Sequence, residues 1–197
     1  FSHVRSVLHW CHLPLEALEP ELCRKIGAGC AKQMVGSVRR EKYAASGAQT
    51  RSLVRWLKSK HGTAKEHAEA YVVTRQYGLR FGSETVGLAF DAPNNFVSLT
   101  PAGVTITRMR KGRLIPDHLY RVCICVLQDK ELCGVCVLRK RSMAARSQGP
   151  VFPQVSYTSG LSQLRRGAHA LSWPNPDAWG THAFRRGWGR EAFDAGG

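Results

Sequence analysis

Long apolar runs are missing from this sequence. No stretch approaches the roughly 18 apolar residues of a membrane-spanning helix, so a helical span is not expected. Acidic residues are scarce: 14 Asp+Glu face 29 Lys+Arg over 197 residues, a formal charge of +15. No internal repeat or low-complexity tract stands out, and the 19 Gly and 9 Pro are too scattered for a fibrous repeat. The first residues lack a secretory leader's apolar core, because His3, Arg5, His9 and Trp10 interrupt it. The seven cysteines are an odd number, which excludes a complete set of disulfides within one chain and suits a reducing compartment.

What is present is enough apolar material for a core, since hydrophobic residues make up 43% of a chain long enough for one or two domains. The excess positive charge needs an anionic partner. Nucleic acid comes first, with an acidic membrane surface and simple solubility as alternatives. Residues 105–146 carry much of the charge among strand-like apolar positions, which points to a folded basic face rather than a disordered arm.

Periodicity predicts helices first. Val4, Val7, Leu8 and Cys11 have helical spacing, and Glu19-Pro20-Glu21 opens a second helix with Leu22, Ile26 and Cys30 inward. Residues 43–49 read as a linker, and the basic run Arg39, Arg40 and Lys42 beside it suits a phosphate backbone. Thr50 is expected to cap a helix carrying Leu53, Trp56 and Leu57, ending at His61-Gly62. Residues 64–77 form another, with Ala68, Tyr71 and Val72 inward. From about residue 96 the period falls to two: 96–99, 104–110, 114–116 and 120–127 read as strands, the last with Val122, Ile124 and Val126 alternating against Cys123 and Cys125. Residues 158–171 return to a helix, and Thr181 caps a final one through Asp194. Helices, a small antiparallel sheet and helices again define an α+β fold.

Three segments carry candidate chemistry. In Gly78-Leu79-Arg80-Phe81-Gly82-Ser83-Glu84-Thr85-Val86-Gly87-Leu88, an arginine among apolar neighbours is expected to be partly buried and to need an anion, either a ligand or Glu84. In Gly180-Thr181-His182-Ala183-Phe184-Arg185-Arg186-Gly187-Trp188, His182 and Arg185 share a helix face, while Phe184, Trp188 and Ala192 seat the helix on the core. A histidine and an arginine held together near a helix start suit a phosphate. Arg110-Lys111-Gly112-Arg113 lies between two strand-like runs and puts an ammonium on a hairpin tip.

In their order and context these segments resemble the tyrosine recombinase (phage integrase-like) family. The resemblance covers about residues 50–197, its catalytic domain, while residues 1–42 are similar to the last helices of the family's helical core-binding domain. It implies that Arg80 and Arg185 grip the scissile phosphate, that His182 is a phosphate ligand and proton carrier, that Lys111 protonates the leaving 5′ oxygen, and that Glu84 orients Arg80. Arg39, Arg40, Lys42, Arg110, Arg113 and Arg186 would contact DNA. Arg186 departs from the family pattern, in which many members carry His. The family nucleophile is a tyrosine beyond the His-x-x-Arg helix. Tyr43, Tyr71, Tyr77, Tyr120 and Tyr157 all precede His182, and the chain ends at Gly197. The expectation is therefore a fragment, from a mobile element, that binds double-stranded DNA but does not cleave it by that route. Catalysis would need no cofactor. Further recombinase subunits on DNA would be partners of the full-length protein. The location would be intracellular, with DNA: nuclear in a eukaryote, cytoplasmic in a bacterium.

Two other readings stand beside it. One is a non-catalytic basic DNA-binding remnant. The other is a zinc-dependent nucleobase deaminase, from His67-Ala68-Glu69 with Cys133-x-x-Cys136. Independently, Cys123-x-Cys125 followed by Cys133-x-x-Cys136 has spacing that could close a structural zinc site, or the four could pack as small apolar residues.

Overall fold

The computed structural model describes residues 43–109, 115–125 and 130–194. The chain divides between Glu41 and Lys42 into two units, and the described residues belong to the second. Arg39, Arg40, Lys42, Arg110, Lys111, Arg113 and the helices expected before residue 36 lie outside the described residues.

Helix α1 spans Gly47–Lys58. It starts four residues earlier than expected, inside the supposed linker, because Ser46 rather than Thr50 caps it. The Ser46 hydroxyl accepts the Gln49 N–H at 3.1 Å, and the Ser46 N–H donates to Gln49 Oε1 at 3.0 Å, a reciprocal capping box. Thr50 lies in the helix and donates to the Ser46 carbonyl at 2.8 Å.

Helix α2, Ala64–Tyr77, has the expected bounds and is buried along nearly its whole length. It stops at Gly78, in the left-handed region (φ 61°). The Gly78 N–H returns to the Arg75 carbonyl and the Leu79 N–H to the Thr74 carbonyl at 2.9 Å, a Schellman stop that turns Leu79 into the core. A short π-turn follows over Phe81–Thr85.

Strands β1 (Asn95–Leu99), β2 (Gly103–Arg108) and β3 (Asp117–Val122) form an antiparallel sheet in the order β1-β2-β3. Central β2 is almost wholly buried. Its register sets Ile106 opposite Val97 and Leu119, and Arg108 opposite Asp117. The periodicity predicts a strand over 120–127, with Val122, Ile124 and Val126 alternating against Cys123 and Cys125. Here β3 ends at Val122, which is 53% exposed, and Leu119 and Arg121 occupy the less exposed phase.

Helix α3, Gly134–Ala145, replaces the end of the strand-like stretch read from the sequence. Val135, Leu138 and Ser142 make a helical buried stripe, and packing on α2 overrides the β preference of Val135 and Val137. Helices α4 (Tyr157–Ala170) and α5 (His182–Asp194) complete the fold, which is mixed α+β as expected. On α5 the buried positions are Ala183, Phe184 and Gly187. Trp188 and Ala192 are exposed, so the expected stripe is rotated toward Ala183 and Gly187.

The core centres on Tyr71 of α2. Its ring stacks on Phe184 of α5 at 4.6 Å, meets Phe81 of the π-turn at 5.3 Å, and its hydroxyl donates to the Gly160 carbonyl of α4. Residues flanking Arg80 and His182 are thus locked to one buried ring. At Gly187 a side chain would overlap the Ala45 carbonyl oxygen, so α5 sits directly against the lead-in to α1.

Candidate functional site

Arg80 is extended (φ −83°, ψ 116°) between the α2 stop and the π-turn. Successive extended residues alternate sides, so Leu79 and Phe81 point inward and Arg80 is exposed, not partly buried as expected. Nor does its guanidinium pair with Glu84. The Glu84 carboxylate accepts the backbone N–H of Arg80 at 2.7 Å and forms a buried ion pair with Arg108 of β2. Glu84 therefore holds the backbone from which Arg80 projects, and Arg108 anchors Glu84 to the sheet.

His182 begins α5, and Arg185 follows within the first turn. The His182 imidazole is held below the usual histidine range. Partial burial is the largest cause, followed by the positive charges of Arg186, Arg185 and Arg80, while Glu84 opposes the shift. Residues from the α2 stop and from the start of α5 thus lie within one electrostatic neighbourhood. Arg186 also donates to the Tyr43 carbonyl at 3.3 Å. Lys111 belongs to the sequence between β2 and β3 and lies outside the described residues.

A cluster of arginine donors beside a largely neutral imidazole can grip the non-bridging oxygens of a phosphate, with the imidazole placed to hydrogen-bond them and to accept a proton. Three tyrosines are committed elsewhere: Tyr71 bonds Gly160, Tyr77 donates to the Val104 carbonyl at 3.1 Å, and the Tyr43 hydroxyl accepts from Asn175 while its ring stacks on Trp179. Tyr120 is exposed on β3. Tyr157 is exposed at the start of α4, its ring against Gly82, two residues from Arg80. Sequence reasoning missed that placement, because nothing local in 156–160 reports contact with the π-turn.

The four cysteines form a second centre. Cys123 and Cys125 lie just beyond the end of β3, Cys133 is the N-cap residue of α3, and Cys136 is in its first turn. All four sulfurs lie within 4.8 Å of one another, with Cys125–Cys136 at 3.4 Å, Cys123–Cys136 at 3.6 Å and Cys123–Cys133 at 3.7 Å. A tetrahedral thiolate site with metal–sulfur bonds of about 2.3 Å has sulfur–sulfur edges of about 3.8 Å, so this cluster can hold a metal ion. Hydrogen bonds, first from the Cys125 backbone, lower the Cys123 thiol to about 7. The expected pair of strand cysteines and a Cys-x-x-Cys turn is instead a post-strand loop and a helix N-terminus.

His67 and Glu69 do not join this cluster. The His67 Nδ1 lies 2.9 Å from the Thr63 carbonyl and Nε2 2.8 Å from the Ser159 hydroxyl, while Glu69 is paired with Arg141 at 2.6 Å. The deaminase constellation is therefore not assembled, because His67 is tied to Ser159 of α4 and Glu69 to Arg141, which lies further along α3 than Cys133 and Cys136. Sequence reasoning also missed Arg108 as the partner of Glu84. Among the described residues, no helix is long and apolar enough to cross a membrane. Comparison with protein-family models, curated proteins and solved structures returns no match.

Proposed function

We propose that this chain carries the phosphate-gripping part of a tyrosine-recombinase-type site for breaking and rejoining double-stranded DNA. The observation that carries the reading is the electrostatic neighbourhood shared by Arg80, His182 and Arg185, with Glu84 behind Arg80. In the strand-transfer reaction a tyrosine oxygen attacks phosphorus, the 5′ oxygen leaves with a proton, and a 3′-phosphotyrosyl bond holds the energy for rejoining. Arg80 and Arg185 neutralise charge building on the non-bridging oxygens, and His182 exchanges a proton with them. Lys111 is the donor to the leaving oxygen in this scheme. No tyrosine of this sequence follows His182, where the family nucleophile stands, so the role proposed for the chain is to bind double-stranded DNA; further subunits act beside it on DNA in the full-length protein, inside the cell. The four-cysteine cluster stands apart from this chemistry as a structural zinc clip. With four thiolates and no open position, it suits a soft-ligand structural ion.

Binding of a fluorescent duplex at several salt concentrations tests the reading. Arg80→Ala and Arg185→Ala should each weaken binding and lower the slope of log K against log salt by about 0.9, while helix content stays unchanged. Wild-type affinity in both variants would sink it. A nicked suicide duplex separates enzyme from remnant: covalent capture by a longer form of the chain identifies an enzyme, and its absence leaves a DNA-binding remnant.

A further inference from the structure

The segments bearing the two cysteine pairs are also joined through their backbone by one buried side chain. Gln76, the next-to-last residue of α2, accepts the Gly134 N–H at 2.5 Å and the Val135 N–H at 3.2 Å on Oε1, and donates from Nε2 to the Val122 carbonyl at 3.2 Å. Val122 precedes Cys123, Gly134 follows Cys133, and Val135 precedes Cys136. A single amide thus holds the backbone next to three of the four sulfurs, with both carbonyl lone pairs in use. Gly134 leaves room for this approach, since a Cβ there would lie 3.0 Å from Gln76 Oε1 and 3.2 Å from Val73 Cα.

The contacts continue toward the phosphate site. The Gln76 carbonyl accepts from Arg121 Nε at 3.1 Å, and the Arg121 guanidinium lies 5.2 Å from the centre of the Trp188 ring. Trp188 shares α5 with His182 and Arg185, and its ring also covers Gly78, where a Cβ would lie 3.2 Å from it. Gly78 forms the stop from which Leu79 and Arg80 emerge. Gln76, Arg121, Trp188 and Gly78 therefore bridge the cysteine cluster to both halves of the proposed phosphate site.

We infer that zinc held by Cys123, Cys125, Cys133 and Cys136 acts through Gln76 and the Arg121–Trp188 contact to position Arg80 and the His182 helix; the DNA-binding consequence rests on the phosphate-site reading above. The metal and Gln76 tie the same two segments together, so each restricts the backbone the other needs. Metal binding of this kind contributes folding energy to the segment that it closes. The two-state element is the pair of segments 122–125 and 133–136, pinned to each other when loaded and released when stripped. Reciprocity follows: if zinc tightens DNA binding by some factor, DNA tightens zinc binding by the same factor.

The full chain, stripped with a chelator and reloaded with zinc alone, tests the inference. One zinc per chain is expected, and Gln76→Ala should weaken zinc binding by about tenfold or more, as loss of a supporting hydrogen bond around a metal site does. Stripping should speed amide exchange at 76–81 and around Trp188, leave α4 protected, and weaken duplex binding by about fivefold or more. Failure to bind zinc overturns the inference. So does equal exchange in the stripped and loaded states, or exchange rising as much over α4 as at 76–81. If exchange responds as expected while the loaded protein binds no duplex, the coupling stands and the phosphate-site reading falls. The stripping arm uses the unmutated chain, so it decides even if Gln76→Ala does not fold.

Discussion

Replacing Glu84 by Ala tests the link between the sheet and Arg80. The Glu84 and Arg108 side chains are 5% and 3% exposed. The same carboxylate oxygen accepts from Arg80 N and from the Arg108 guanidinium. Arg108 Nε makes no hydrogen bond, and the other nearby carboxylate is that of Asp117, at 3.5 Å. Removing Glu84 leaves a buried guanidinium with one distant counter-charge and takes the acceptor from the Arg80 N–H. Breaking a buried pair costs about 3–5 kcal/mol, and Asp117 pulls the value toward the lower end. With about 2–4 °C lost per kcal/mol in a domain of this size, Tm should fall by roughly 6–12 °C. Replacing both partners, Glu84→Leu with Arg108→Met, removes the uncompensated charge and should cost only about 1 kcal/mol, from the orphaned Arg80 N–H. Thermal and urea unfolding of both singles and the double give the coupling energy. A Glu84→Ala cost below about 1 kcal/mol, or singles that simply add to the double, would show that the buried pair does not hold this turn.

Two further outcomes follow from named contacts. Because the His182 imidazole is held below the ordinary histidine range, the unfolded chain takes up its proton first as pH falls. The His182 contribution to stability is therefore complete above about pH 6.5 and declines below it. A bound phosphodiester offsets Arg186, Arg185 and Arg80, so duplex binding should raise the His182 pKa with proton uptake; an NMR titration that finds it raised in the free protein refutes this. On α5, Gly187→Ala drives a methyl into the Ala45 carbonyl and should cost about 3 kcal/mol or more, whereas Gly189→Ala meets nothing within 4 Å and should stabilise by up to about 1 kcal/mol. Similar urea midpoints for the two would refute the close packing of α5 on the lead-in to α1.

The fold was legible where local signals decide it. Helix α2 declares itself by apolar periodicity and a glycine stop, and its bounds agree with the reading. The true start of α1 is also legible, since Ser46-x-x-Gln49 is a capping-box pattern, but Thr50 competes with it as a cap by lying nearer the apolar stripe. Helix α3 was harder. Val135 and Val137 favour strand locally, and only contact with α2 makes the spacing of Val135, Leu138 and Ser142 decisive.

At the site, exposed and buried residues divide by the kind of information that places them. Arg80 and His182 sit at element ends, where a stop glycine or a helix start is written in adjacent residues. Arg108 and Gln76 act through partners set by tertiary register. Arg108 reaches Glu84 because β2 pairs with β1 and β3 in one alignment, and a one-residue slip would send it to the other face. Gln76 finds Val122, Gly134 and Val135 only once α3 lies on α2. Charged groups offered to a ligand can thus be read locally, while the groups that aim them cannot. The buried supports are consequently where substitution should change function without touching the ligand: Gln76→Ala should alter metal and duplex binding together, although its side chain contacts neither the phosphate site nor the sulfurs.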